Sequence, residues 1–580
     1  MTRTFEVVVI GSGFGGAVVA CRAAQRWPGE VLVLERGKRY ARGSFARTPS
    51  EMRDNFWNAD GQRRDHDYRH PEQSGLFDVR SFRRMDVILA AGLGGGSLIY
   101  ANVLLEPPDA VFADPRWPST CSRDALRAYY DTARTVLGGR KLPPATDAFR
   151  TVTRTRVFEE AAVAMGRRST PLDIAVFFGN DPDVPLAPGQ SERNAFGAEQ
   201  SSCVYCGECD LGCNVSAKNT LDLNYLFAAE HHHGAVIETL RLVESIVPLG
   251  LDGADDPTAD GSNGYRVHYA ALPGVNASSP VTKHSVVAKR VVLGAGAFGS
   301  TELLLRCRDV HATLPRLSPR LGAGVSGNGD FLSFVFGGRD RTALDHGPVI
   351  TQGIDFNLFA DHDPERAFIM EDAGFPNAAA WYLEGMKPRL LQLRVMAKAA
   401  RHTIARMPHR RTRGRVGYKL RDAMGGSVTG HAAGLLCMGL DKATGRLSLD
   451  RHGWVRLQWP QGENRPLYRA IVAASKSFGR AVDATMVVQA PNWWLPLRRN
   501  VTVHALGGCL LGDSPEKGVV QAGADRFGEV FGYSGLYVAD GAIVPVALGA
   551  NPSLTIAALA EKIAAGLTGR EPDVQLGSPR

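Results

Sequence analysis

Phe5-Glu6-Val7-Val8-Val9-Ile10-Gly11-Ser12-Gly13-Phe14-Gly15-Gly16 is the stretch on which the fold turns. Its apolar run reads as a buried parallel strand, and Ala17 to Arg26 reads as the helix that follows. Gly11 suits a tight turn, Gly13 leaves room for a pyrophosphate to approach the backbone, and Gly16 lets helix and strand pack closely. A second apolar strand, Val31-Leu32-Val33-Leu34, delivers Glu35 nineteen residues after Gly16. A carboxylate there can accept a hydrogen bond from a ribose 2′-hydroxyl and would repel a 2′-phosphate. Strand, glycine turn, helix, second strand and acid, in that order, predict an adenine dinucleotide site. They do not choose between FAD and NAD.

The chain of 580 residues is long enough for more than one core, and its 44% hydrophobic and 22% charged content is that of a globular protein. No apolar run approaches the ~20 residues of a membrane span. The first strand begins by residue 5, which leaves no room for a cleavable leader, so a cytoplasmic location is expected. The net charge of +8 is concentrated: residues 387–421 hold twelve Lys or Arg and no Asp or Glu, and the remainder is mildly acidic. Leu390, Leu393, Ala397, Ala400, Ile404 and Met407 recur there at helical spacing, with basic residues along one flank. The segment reads either as a helix docked on its own core or as a surface contact with an anionic membrane. No recognition motif for nucleic acid accompanies the charge.

Further along, Arg84 to Leu89 reads as a strand running into a second glycine turn, Gly92-Leu93-Gly94-Gly95-Gly96-Ser97. Gly234 to Val247 and Tyr265 to Ala271 read as strands of a meander, with residues 252–263 as its exposed loop. Val286 to Gly296 reads as another buried strand, followed by a helix from Thr301. Leu536-Tyr537-Val538 delivers Asp540, and Asn551-Pro552 leads into an alanine-rich helix to about Leu567. Elements able to line one nucleotide thus fall in residues 1–45, 80–106, 213–330 and 525–580. Residues 107–212 and 331–524 are left as the substrate-binding portion.

Taken in order, the first glycine turn with Glu35, Gly94 to Ser97, Gly294 to Ser300, Asn328-Gly329, His504-Ala505-Leu506-Gly507-Gly508-Cys509, and Asp540-Gly541 followed by Asn551-Pro552 resemble the glucose–methanol–choline family, and within it the cholesterol-oxidase branch. The resemblance implies an α/β fold in which a discontinuous Rossmann-type FAD-binding domain carries an inserted α+β substrate-binding domain. It also implies FAD as the cofactor. On that likeness Gly11, Gly13, Phe14, Gly15 and Gly16 would line the dinucleotide at its pyrophosphate, with Glu35 at the ribose. Gly94, Gly95, Gly96, Ser97 and Asn102 would hold the pyrophosphate and the isoalloxazine edge. Val243 would contact adenine through its backbone, and Asp540 with Gly541 would meet the ribityl or pyrophosphate region.

The implied chemistry is hydride transfer from an alcohol carbon to the flavin, which requires a group to take the hydroxyl proton. His504 matches the family's active-site histidine, and an imidazole can both accept that proton and orient the hydroxyl. Asn551 matches the second active-site position, where its amide would donate to the substrate oxygen or to the flavin pyrimidine edge, a helix cap before Pro552 being the alternative; many relatives carry histidine there, and asparagine favours the cholesterol-oxidase branch. Glu371, in Phe368-Ile369-Met370-Glu371-Asp372-Ala373-Gly374-Phe375-Pro376, matches that branch's buried glutamate, which would move a proton during a 5-ene to 4-ene isomerisation. The alternative is that Glu371 pairs with a nearby arginine, and Asp372 beside it competes for the assignment. The expected substrate is a secondary alcohol on a bulky apolar molecule, a 3β-hydroxysteroid above all. A polyol or sugar dehydrogenase, or a non-catalytic flavin or metal electron carrier, is the alternative.

One feature departs from that branch. Cys203, Cys206, Cys209 and Cys213 have the C-x₂-C-x₂-C-x₃-C spacing of a bacterial ferredoxin half, although Asn214 replaces the usual proline and no second set exists. Four thiols so placed suit an iron–sulfur cluster, a zinc ion, or no metal at all, as thiols or disulfides. A cluster near FAD would favour passing electrons to an acceptor protein or quinone over oxygen. The other five cysteines have no ligand spacing and read as small core residues.

Overall fold

The computed structural model describes residues 3–57, 74–273, 281–376, 429–493 and 498–577. The basic stretch 387–421 lies outside them. No helix among the described residues is long and apolar enough to cross a membrane.

The opening strand, Thr4–Ile10, lies inside a seven-stranded sheet in the spatial order Val236–Glu238, Val31–Leu34, Thr4–Ile10, Thr282–Leu293, Tyr265–Ala271, Arg241–Pro248. The first four strands run parallel, and Leu536–Val538 adds a fifth parallel strand beside Val291 to Leu293. Their unbroken Val, Ile and Leu runs are buried on both faces, as a sheet covered on two sides requires. The meander Arg241–Pro248, Tyr265–Ala271 pairs antiparallel and leaves the sheet along the lower half of Thr282–Leu293. Three boundaries differ from expectation. The first helix is Phe14–Arg26, beginning inside the glycine turn because Gly13 already caps it. The run expected as one strand from Gly234 to Val247 is two, broken where Leu240 takes a left-handed conformation (φ 58°). The helix after the third glycine turn starts at Gly296 rather than Thr301.

The final helix, Ser553–Thr568, packs against Phe14–Arg26. Arg22 forms a buried two-pronged ion pair with Glu561 (both 2.8 Å), which also accepts from the Tyr225 hydroxyl (2.7 Å).

A second, antiparallel sheet has the order Met486–Gln489, Phe331–Phe336, Ala433–Gly439, Phe368–Ala373, Gln352–Phe356, Ser169–Pro171. Helices Thr153–Ala164 and Arg465–Ala481 cover one face, closing a core that holds Phe158, Phe368, Met370, Ile471 and Phe478. Ile369, one position away on Phe368–Ala373, belongs instead to the core of the nucleotide sheet. Alternation along this strand therefore turns odd-numbered residues toward the nucleotide portion and even-numbered ones toward the helices.

Candidate active site

The two N-terminal glycine turns meet. A Cβ on Gly95 (φ 52°) would lie 2.7 Å from the Gly13 Cα, and one on Gly15 would lie 1.9 Å from the Ala539 carbonyl oxygen. No residue with a side chain fits either place. Ser12 joins the turns: its hydroxyl donates to Glu35 Oε2 (2.6 Å) and accepts from the Gly94 N–H (3.0 Å). Glu35 is buried and also receives the Ser12 and Gly37 N–H groups (3.0 and 2.8 Å), so any bond to a ribose uses its remaining lone pairs. Ser12 had no role assigned from sequence, and its place as the bridge depends on the distant second turn. Ser97 donates to the Gly94 carbonyl (2.7 Å) and accepts from the Leu221 N–H (3.1 Å). Phe14 packs edge-on to Tyr100. Asp540 accepts from the Gly296 N–H (2.9 Å) and the Ser300 hydroxyl (2.5 Å), and its other oxygen caps the turn at Gly541 through the Ala542 N–H (2.9 Å). Burial raises its carboxyl to about 6 against these bonds.

This cradle fits a dinucleotide. Its glycines bring three turns together without side chains, and Gly13, with no near neighbour on its Cβ side but Gly294, keeps its backbone open to a ligand. Asn102 is fully buried at φ 72°, and its side-chain amide lies against the Cys209 sulfur, with no closer hydrogen-bond partner among the described residues. Val243 is half-buried on Arg241–Pro248, opposite Tyr269.

His504, Glu371 and Asn551, expected to act together, are brought together. Glu371 is fully buried, and Asn551 Nδ2 donates to its Oε2 (3.3 Å). Glu371 Oε1 and Asn551 Oδ1 have no partner. Burial drives the Glu371 carboxyl well above the usual range; the Asn551 bond opposes this, and the charges of Asp372 and Asp330 reinforce it. The question of which acid pairs with arginine is decided by the pleat. Asp372 faces the helix Thr153–Ala164, where it accepts from Arg154 Nε (3.2 Å), the Thr351 hydroxyl and the Thr351 and Gln352 N–H groups (all 2.7 Å). Glu371 faces the other way, and no Lys or Arg among the described residues pairs with it.

Asp330 is the residue that motif reading passed over. Its Oδ1 lies 2.8 Å from His504 Nδ1, and its Oδ2 accepts from the Thr502 hydroxyl (3.0 Å) and the Val503 and His504 N–H groups (2.9 and 3.2 Å). A carboxylate at Nδ1 keeps the proton on that nitrogen and leaves Nε2 as an acceptor. Asn328, two residues earlier, donates to the Ala550 carbonyl (2.8 Å) and accepts from the Leu548 and Gly549 N–H groups (2.8 and 3.1 Å). One loop thus positions both His504 and the turn carrying Asn551. Asp441 shapes that loop, accepting from the Gly327 and Gly329 N–H groups (both 2.9 Å) and the Ser326 hydroxyl (2.9 Å). The only sequence signal was an acid following Asn328-Gly329.

The four clustered cysteines line one cavity together with Lys218. No disulfide joins any of the nine cysteines in this structure, and the other five are buried in the core as expected. Among the described residues, no group of three or more His, Cys, Asp or Glu side chains is arranged to hold a single metal ion.

The GMC oxidoreductase family model for the C-terminal region matches residues 391–560. A cholesterol oxidase of Mycobacterium tuberculosis is 30% identical, the alignment covering 99% of this chain and 93% of that protein. A cholesterol oxidase of Acinetobacter baumannii is 28% identical over 96% and 93%. Among solved structures, a pyridoxine 4-oxidase of Mesorbium loti superimposes with a TM-score of 0.58 at 14% identity, covering 98% of this chain and all of that one. A formate oxidase of Aspergillus oryzae does so at 0.59 and 13%, covering 99% and all of that chain. These structures speak to the fold.

Proposed function

The chain belongs to the glucose–methanol–choline oxidoreductases, FAD-dependent enzymes that oxidise alcohols, and from that premise we propose that its substrate is a secondary alcohol on a bulky apolar molecule, a 3β-hydroxysteroid such as cholesterol. One arrangement carries this reading: a buried carboxyl with no cation, Glu371, held by Asn551 beside the Asp330–His504 pair. A polyol site would surround the same histidine with several hydroxyl-binding groups. Here the neighbouring strands place Gly353 and Leu436 opposite Glu371.

The glycine turns, with Glu35 toward the ribose, Val243 toward the adenine and Asn102 toward the ring edge, would hold FAD, which would supply the hydride acceptor. As the hydrogen leaves carbon, His504 Nε2 takes the hydroxyl proton, with Asp330 holding the ring in the tautomer that can accept it. The Asn551 amide steadies the same oxygen. With a 5-ene steroid, Glu371 takes a proton from carbon 4 of the ketone and returns one at carbon 6, moving the double bond into conjugation. Desolvation makes its carboxylate a stronger base than in water, which suits a carbon acid.

The same reading assigns electrons to oxygen or to an acceptor protein or quinone, and offers the cysteine quartet to an iron–sulfur cluster or a zinc ion. It places the enzyme in the cytoplasm, drawing substrate from a membrane through residues 387–421; salt-sensitive sedimentation with anionic vesicles tests that placement. The substrate assignment is tested by anaerobic mixing with a 3β-hydroxy-5-ene steroid and, separately, with sugars and polyols. Loss of the visible flavin absorption with the steroid alone supports it. Loss with the sugar or polyol alone replaces it.

A further inference from the structure

We propose that Cys203, Cys206, Cys209 and Cys213 bind one iron–sulfur cluster in the cavity they share. The spacing in sequence supplies four thiolates from a single loop. In three dimensions their side chains converge, with Cys203 buried, Cys209 and Cys213 half-buried and Cys206 exposed. Main-chain N–H groups already point at the sulfurs: Tyr205 donates to Cys203 Sγ (3.4 Å), and Ala217 and Lys218 donate to Cys213 Sγ (3.2 and 3.4 Å). Such donors stabilise thiolate charge and are among the means by which proteins tune clusters. Arg47 clasps the loop from outside, pairing with Glu208 (2.5 Å) and donating to the Gly212 carbonyl (2.6 Å).

An independent observation is the charge of Lys218. This side chain is 1% exposed, and its ammonium donates to the carbonyls of Leu98 (2.8 Å), Tyr100 (3.2 Å) and Cys209 (2.7 Å). Its hydrogen bonds are met, and the thiols of Cys209 and Cys213 together with the carboxyl of Asp210, within the cysteine loop itself, are the acidic groups that act on its charge. A cluster held by four thiolates carries net negative charge and would lie in the cavity that Lys218 lines. Zinc is less well matched. At ~2.3 Å from each ligand it draws four sulfurs tightly together, and the side chains are not arranged as a single-ion cage. A core of several irons spans a wider one.

The location carries meaning of its own. The same ammonium holds Leu98 and Tyr100, which follow the second glycine turn, so the cavity shares a wall with the FAD cradle. The assignment of the metal stands independently of which alcohol is oxidised, so failure of the steroid reading leaves it intact.

The test uses the full chain, expressed with iron and purified without oxygen. Iron and acid-labile sulfide should accompany FAD in fixed proportion, and an electron paramagnetic resonance signal of a cluster should appear or vanish on dithionite addition. In Cys209→Ser and Cys213→Ser, bound iron should fall about tenfold or more while FAD per chain is kept. Zinc in place of iron, or wild-type protein without metal even after reconstitution with iron and sulfide, would overturn the proposal whether or not the variants fold.

Discussion

In the nucleotide portion the cradle we assign to the cofactor is built around three glycine turns that touch one another, whereas the alcohol site we propose draws Asp330, Glu371, His504 and Asn551 from four segments far apart in the chain. The first is made by leaving side chains out. The second is made by side chains that hold other side chains: Asp441 shapes the loop of Asn328 and Asp330, and that loop then sets His504 and the turn at Asn551. A steric cradle fails as a structure when one atom is added. A relayed polar site fails as a catalyst while the fold remains.

Four substitutions break or sharpen that contrast. The largest effect is expected for His504→Ala, which should lower alcohol oxidation by roughly 10²–10⁴-fold with FAD still bound; steady-state kinetics beside the flavin spectrum check both halves. Arg154→Met removes the cation of a buried pair and should cost about 3–5 kcal/mol of stability, read by denaturant unfolding. In Gly15→Ala the added methyl meets the Ala539 carbonyl, and overpacking of about 1–3 kcal/mol should appear together with loss of FAD on gel filtration. Glu371→Gln should change least in rate: flavin reduction stays within severalfold, but the product accumulates as the non-conjugated ketone. Formation of the conjugated enone at the normal rate would move proton transfer away from Glu371, and the ion-paired Asp372 would be a poor replacement.

The cradle was largely legible because its signals are local. Gly11 to Gly16, Glu35 and the strands around them carry their geometry within a few residues. His504, Asn551 and Glu371 were singled out through resemblance, with no local pattern marking any of them. What the sequence hid is pairing across distance. Asp330 beside His504, Ser12 between Glu35 and Gly94, and Arg154 choosing Asp372 over Glu371 each depend on which strand lies next to which. The last depends also on a pleat that sends adjacent acids to opposite faces. Leu240 was hidden for another reason: its left-handed backbone splits an apolar run that otherwise reads as one strand.

The pairing of Arg22 with Glu561 has a consequence for how the protein is made. The two residues are 539 positions apart, and the helix bearing Glu561 covers the first helix of the chain. At ~5–20 residues per second, a ribosome takes roughly half a minute to two minutes to pass from one to the other. For most of that interval the opening strand and helix are outside the exit tunnel with an uncovered apolar flank and a guanidinium lacking its carboxylate. Whatever attends the nascent chain during that wait, a chaperone or the inserted substrate portion folding first, must shield the first thirty residues until the last helix arrives.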